Sequence, residues 1–240
     1  MNTPTAPRSV IWQDIWQRKA SQSTAALHHV NGYDLLDDQA WHGMIEELST
    51  MFPLRPHAAV AELGCGAGAF LATLRHLAPT IKIAGIDYAA GLVELARQRL
   101  EGQFWVADVR ACPQLATASF DVACSFGTTM YLDAEADVTA MLGEMRRITR
   151  PGGRIYVGEI SDLARRELAL SLRPTTHAAN QRVSNASPDH LYLPKEFFLA
   201  YAAQHRLTAE IRDHLTFNFG RSNPLAVYRY SVCLQLPAAA

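Results

Sequence analysis

Several things are scarce in this chain of 240 residues, and each scarcity narrows what it can be. There is no basic excess: Lys plus Arg is 22, Asp plus Glu is 23, and the formal net charge is -1. A protein that grips a phosphate backbone carries a basic excess or stripe, and the arginines here are scattered, so nucleic acid is not expected as a partner. Cysteine is sparse. Cys65, Cys112, Cys124 and Cys233 form no C-x-x-C pair, which argues against a zinc knuckle or a redox pair. They sit in apolar runs and read as buried thiols of a reducing compartment. No apolar run approaches the roughly 20 residues of a spanning helix, so no membrane segment is expected. The first ten residues lack the apolar stretch of a secretory signal, and the expectation is a cytoplasmic protein.

What is present is a large apolar share, 49% of residues, enough for one substantial core. Ile11, Trp12, Ile15 and Trp16 recur at helical spacing, and Asn31-Gly32 marks a turn. A second helix follows, with Trp41, Met44, Ile45 and Leu48 on one face and Asp37 or Asp38 as its cap. From residue 58 onward short apolar strands alternate with helices, which predicts a parallel sheet covered on both faces. The stretch RELALSLRPTTHAANQRVSNASPDH, 166–190, reads as a long polar connection and a candidate substrate loop. The last two strands have no helix between them, so an antiparallel strand is expected at the end of the sheet. The reading divides the chain into an N-terminal helical lid, 1–55, and a domain over 56–240.

In AAVAELGCGAGAF, Ala58 to Phe70, three glycines close a strand and open a helix. Glycine there lets the chain turn sharply and lets a ligand approach the main chain. Acids stand at successive strand ends: Glu62 before the glycines, Asp87 after the second strand, Asp108 after the third. Asp87 is placed to accept from ribose hydroxyls and Asp108 from an adenine amino group. Gly64, Gly66 and Ala69 also satisfy a looser dinucleotide pattern, which keeps NAD or FAD open. Against it, some 55 residues precede the strand, and the Glu62 charge would repel a pyrophosphate. An acid suits a cationic ligand.

The motifs AELGCGAG, AGIDYAAGLVELAR, FWVADV, FDVACSF and MLGEMRRITRPGGRIYVGEI, in this order, resemble those of the class I S-adenosylmethionine-dependent methyltransferases. The resemblance runs from about Ala58 to Ile160. It implies an α/β fold: a Rossmann-like three-layer sandwich whose seven-stranded, mostly parallel sheet has an antiparallel last strand. It implies S-adenosyl-L-methionine as cofactor, with no metal. By position, Gly64, Gly66 and Gly68 would line the methionine and ribose portion, with Glu62 beneath. Asp87 would hold the ribose, Tyr88 would lie beside the adenine, and Asp108 and Val109 would meet its edge. Ser125 and Phe126 would face the methionine part. Pro151-Gly152-Gly153 would be a structural turn. The sequence lacks Asn-Pro-Pro-Tyr after the fourth strand, which counts against planar amides or nucleobases as acceptors.

A sulfonium is already an electrophile, so the protein has to align a nucleophile, exclude water and rest the positive charge against aromatic faces. The N-terminal segment offers Trp12, Trp16, Lys19, His28, His29, Asn31 and Tyr33. Trp16 and Lys19 are candidates for the cofactor, Lys19 through its carboxylate. His29 and Tyr33 are candidates for catalysis, and Tyr131, after the fourth strand, is the leading candidate to face substrate. Each also has a plain reading as packing or solvated charge. Glu159 ends the fifth strand and would meet a substrate amine or form a salt bridge. Tyr192, Asn223 and Tyr228 are unranked. The expected activity is methyl transfer to a small-molecule acceptor of specialised metabolism, by a monomer or homodimer. Three alternatives stand beside it. The first is a cyclase of the same fold, of the azetidine-2-carboxylate synthase type, that consumes the cofactor and releases methylthioadenosine. The others are a dinucleotide oxidoreductase and a non-catalytic cofactor-binding module.

Overall fold

A computed structural model describes residues 7–20, 26–178, 189–221 and 223–239. Five parallel strands form first: β1 (Ala59–Leu63), β2 (Lys82–Asp87), β3 (Gln103–Val106), β4 (Phe120–Phe126) and β5 (Thr149–Ser161). β6 (Thr208–Asp213) and β7 (Arg229–Gln235) complete a seven-stranded sheet in the order β3-β2-β1-β4-β5-β7-β6. β7 runs antiparallel to both neighbours and lies between β5 and β6, one strand in from the edge.

Strand residues alternate between two cores, as a period of two requires. Val60, Ile83, Val122, Cys124 and Tyr156 face one side. There they meet α3 (Asp38–Ser49), α4 (Ala69–Leu77) and α5 (Ala90–Arg99). Ala61, Ala84, Ala123, Ile155 and Val157 face the other. That side is covered by α6 (Glu135–Ile148) and α8 (Lys195–His205), through Val138, Met141, Leu142, Phe198 and Tyr201. The result is the three-layer Rossmann-like sandwich. α3 buries Trp41, Met44, Ile45 and Leu48 as its spacing predicts, and Asp37 caps it by accepting from Ala40 N–H at 2.8 Å.

The N-terminal α1 (Arg8–Lys19) and the single turn α2 (Leu27–Val30) lie over the carboxyl ends of the strands, where α1 contacts α5 and the 3-10 turn Thr129–Tyr131. The predicted polar loop after β5 begins instead as a helix, α7 (Arg166–Ala178). The reason is apolar spacing that the polar composition masks: Ala169 and Leu172, three apart, pack against Tyr192 and Tyr228. Residues 179–188 of that predicted loop lie outside the described residues. Among the described residues no helix is long and apolar enough to cross a membrane.

Candidate functional site

Strand order reverses between β1 and β4, and in an open α/β sheet that switch point is where a ligand crevice forms. The glycine turn stands at its edge. Gly64, Gly66 and Gly68 have φ of 81°, 53° and 83°, left-handed values that favour glycine. The Gly64 and Cys65 N–H groups both donate to Ile86 O, at 2.8 and 2.9 Å, pinning the turn to β2. Asn31 closes over it: Oδ1 accepts from Ala67 N–H at 2.8 Å and Nδ2 donates to Cys65 O at 3.1 Å. A Cβ at Gly64 would strike Thr128, and one at Gly68 would strike Leu100 of the neighbouring helical layer. Gly64 and Gly66 line a cavity; Gly68 stands behind it.

Two acids meet inside the crevice. Asp87 is 6% exposed and accepts from Gly66 N–H and Ala89 N–H, each at 2.8 Å. Burial pushes its carboxyl up to about 6, with those backbone donors pulling the other way. Glu62 is fully buried, and its Oε2 has no hydrogen-bond partner. Burial, then the neighbouring Asp87 charge, raises it well above the usual carboxylate range. Tyr88 lines the same wall with its hydroxyl unpartnered.

Asp108 does not reach this cavity. Its carboxylate takes Arg110 N–H at 2.8 Å and the Arg110 guanidinium at 2.6 Å, and Arg110 is held in turn by Asp137. Val109 points away from the crevice into the core under α6. Ser125 also faces that core, donating to Leu63 O at 2.8 Å beside Met141. Phe126, the next residue, faces the cavity and stacks on Phe70 at 4.7 Å and Tyr33 at 5.5 Å.

The roof comes from α1 and the turn after α2. Trp12 and Trp16 meet Tyr131 edge-on, with ring centroids 4.8 and 5.3 Å apart, and His190 closes the group. Lys19 lies 3.3 Å from Asp34 and over the Trp16 ring. Tyr33 lines the cavity with its hydroxyl against the Cα of Gly127, where a Cβ would collide with it. Burial and the nearby Glu159 carboxylate raise its phenol, so it keeps its proton. His29 does not line the cavity. Its Nε2 donates to Leu36 O at 3.0 Å, as does that of His28 at 2.9 Å, which ties the α2 turn to the loop behind it.

The floor holds residues that local patterns do not reveal. Glu159, 2% exposed, has φ of 59° at an irregularity in the β5–β7 ladder between Val157 and Ile160. The residue at that bulge lines the cavity. Its Oε1 lies 3.1 Å from His214 Nδ1, and its Oε2 lies 3.7 Å from Arg229 Nε. Burial disfavours the charged carboxylate, yet His214 and Arg229 outweigh it and hold Glu159 below its ordinary value. His214 Nε2 is 2.8 Å from Ser231 Oγ, which is 3.0 Å from Tyr156 Oη. Arg229 bonds Ser161 Oγ and, at 3.2 Å, Glu159 O. Asn223, Tyr192 and Tyr228 complete the wall. Among the described residues no His, Cys, Asp or Glu cluster could hold a metal ion.

The geometry agrees with what the chain is similar to. Residues 60–153 match the methyltransferase domain family. A demethylmenaquinone methyltransferase of Deinococcus radiodurans is 32% identical over 64% of this chain and 65% of its own length. A malonyl-[acyl-carrier protein] O-methyltransferase of Serratia marcescens is 28% identical over 70% of this chain and 61% of its own. The chain thus spans less than two thirds of the length of these curated relatives. In fold, it resembles the putative methyltransferase solved with the Trm112 activator of Haloferax volcanii. That likeness has a TM-score of 0.66 at 19% identity, over 92% of this chain and 97% of the other. The strand order, the glycine turn and the acid after β2 thus stand in a chain whose residues 60–153 match the methyltransferase domain family and whose Rossmann-like fold resembles that of solved methyltransferases.

Proposed function

We propose that the protein transfers a methyl group from S-adenosylmethionine to a small-molecule acceptor. One observation carries this reading: a continuous cavity joins the glycine turn and its two buried acids to an aromatic chamber floored by Glu159 and Arg229. The crevice residues fit that cofactor. Glu62 Oε2, buried without a partner, would accept from an ammonium group. Asp87 would accept from ribose hydroxyls, and Gly64 and Gly66 line the cavity beside it. Tyr88 offers an unsatisfied hydroxyl on the same wall. Lys19 at the rim suits a carboxylate. Bound there, the cofactor supplies a methyl carbon activated by a sulfonium.

The chain's own residues then do three things. Trp12, Trp16 and Tyr131 cover the chamber and exclude water. Tyr33, Trp41 and Phe126 present aromatic faces that suit a cation. Tyr33 and Tyr131 place phenols beside the acceptor chamber, Tyr33 as a donor. The cavity lies between the sandwich and its N-terminal roof, an enclosure that suits a free small molecule. The names of the two curated relatives point to a quinone precursor in one case and a carrier-bound malonyl group in the other.

The test is product identification. The purified protein is incubated with S-adenosylmethionine, alone and with acceptor pools. S-adenosylhomocysteine that forms only with acceptor supports the reading. Methylthioadenosine without acceptor makes the protein a cyclase of the same fold. No product and no cofactor binding, with NADH bound instead, discards both.

A further inference from the structure

Eight buried side-chain atoms lack a hydrogen-bond partner among the described residues, and five belong to residues that line this cavity: Trp12 Nε1, Glu62 Oε2, Tyr88 Oη, Glu159 Oε1 and Arg229 Nε. Buried polar atoms are normally satisfied, so such a concentration marks where a ligand completes the structure. Glu62 and Tyr88 stand at the cofactor crevice. Glu159 and Arg229 stand at the far end and have no part in it.

We propose that Glu159 is the acceptor-binding residue of the reaction: its carboxylate takes a hydrogen bond from the hydrogen on the acceptor's nucleophilic oxygen or nitrogen. The proposal rests on the methyltransferase reading above and names the acceptor class, a protic oxygen or nitrogen nucleophile. Three features separate Glu159 from an ordinary internal ion pair. It occupies a left-handed backbone conformation that a glutamate adopts only under constraint, and the strand bulges to accommodate it. His214 Nδ1 and Arg229 Nε approach it as ion pairs, 3.1 Å from Oε1 and 3.7 Å from Oε2, and a carboxylate with about four lone-pair sites retains capacity for a further donor. Glu159 also lines the cavity.

His214 and Arg229 are positioning residues. Ser231 and Tyr156 fix the His214 ring from behind, and Ser161 fixes the Arg229 guanidinium. Both hold the carboxylate in its charged form at one place. The step balances. The nucleophile's lone pair forms the bond to the methyl carbon, and the carbon–sulfur pair departs with sulfur. The positive charge thereby passes from sulfur to the nucleophile, beside Glu159. If the nucleophile is oxygen its proton passes to the carboxylate, and if it is nitrogen the proton stays on the resulting ammonium.

Three matched probes test this on the intact chain saturated with S-adenosylhomocysteine: benzyl alcohol, benzylamine and benzyl methyl ether, the last with no hydrogen to donate. A hydrogen bond to a charged acceptor predicts that wild type binds the alcohol or the amine about tenfold more tightly than the ether, read by ligand-observed NMR. In Glu159→Gln that preference disappears, while S-adenosylhomocysteine affinity by calorimetry stays within about twofold. In His214→Gln the preference shrinks without vanishing. Equal binding of ether and alcohol by wild type overturns the proposal, as does absence of binding by both protic probes at millimolar concentration, or a preference that survives in Glu159→Gln. The wild-type comparison stands even if the variants do not fold. Loss of S-adenosylhomocysteine binding by wild type, with the protic preference intact, would sink the methyltransferase reading and leave the Glu159 site in place.

Discussion

The amide of Asn31 lies against the bare Cα of Gly66: a Cβ built there would sit 2.6 Å from Asn31 Oδ1. The same amide accepts from Ala67 N–H and donates to Cys65 O, so a residue of the N-terminal segment holds the cofactor turn in shape. Roof and crevice are therefore mechanically one unit. Gly66→Ala adds a methyl group where φ is 53° and evicts Asn31. The left-handed conformation alone costs an alanine about 1–2 kcal/mol. Calorimetry should show S-adenosylmethionine bound at least about tenfold more weakly.

Gly143 is the opposite case. It lies inside α6, and a Cβ there would meet nothing within 4 Å. Gly143→Ala should stabilise the protein by about 0.5–1 kcal/mol, because alanine loses less backbone entropy in a helix. A raised unfolding midpoint in denaturant with an unchanged slope checks it. An unchanged midpoint would mean that the helix interior tolerates glycine at no cost.

The split between these two glycines shows what a sequence can convey. Gly64, Gly66 and Asp87 were legible because each sits where a strand pattern stops and a helical one starts, a signal confined to a few neighbouring residues. The floor was not. Glu159 stood out only as a strand-end acid, since a bulge between Val157 and Ile160 leaves no mark on an apolar run. His214 and Arg229 reach it from a 3-10 turn and from β7, and sequence distance hides that meeting. Asp108 had the right position at a strand end, but Arg110, two residues on, holds its carboxylate. Helix α7 was hidden by Pro174 and a polar composition.

Trp12 and Tyr131 meet edge-on over the chamber, and Trp12 is buried although it belongs to the first helix. Trp12→Ala removes a large buried ring, so a cost of about 3 kcal/mol is expected in stability. It also opens the roof on the acceptor side. With an identified acceptor, KM should rise more than the cofactor's Kd. Tyr131→Phe preserves the ring contacts and removes only the hydroxyl. If kcat is unchanged in Tyr131→Phe while Trp12→Ala is impaired, Tyr131 serves as a wall and not as a catalytic group.

Away from the cavity, Glu144 accepts from Cys112 N–H at 2.9 Å and from Arg147 Nη2 at 2.8 Å. The Arg147 guanidinium, despite partial burial, holds its carboxyl down at about 2. A folded value below the unfolded one means stability present above the ordinary value of 4.5 and lost as pH falls towards 2. The pair is partly exposed, so screening reduces its worth to about 1–2 kcal/mol. Glu144→Gln should lose that amount near neutral pH, and the gap to wild type should close across the acid range. A gap that does not change with pH would assign the loss to packing.

Asp87 is shifted the other way. Its folded value of about 6 lies above the ordinary 3.8, so the folded protein binds this proton more tightly than the unfolded chain. The stability it contributes is full below 3.8 and lost as pH rises through about 6. Hydroxyl donors from a ribose favour the charged carboxylate, so cofactor binding should expel a proton near pH 6. Glu62 is raised further by burial and by Asp87, and an ammonium group against Oε2 should expel its proton at higher pH. Calorimetry in buffers of unlike ionisation heat counts these protons. Wild type should release a proton at about pH 6 and a second above that pH, and Glu62→Gln should abolish the second release while keeping the first. Cofactor binding with no proton release at either pH would mean that neither acid meets it, and the crevice would need a different occupant.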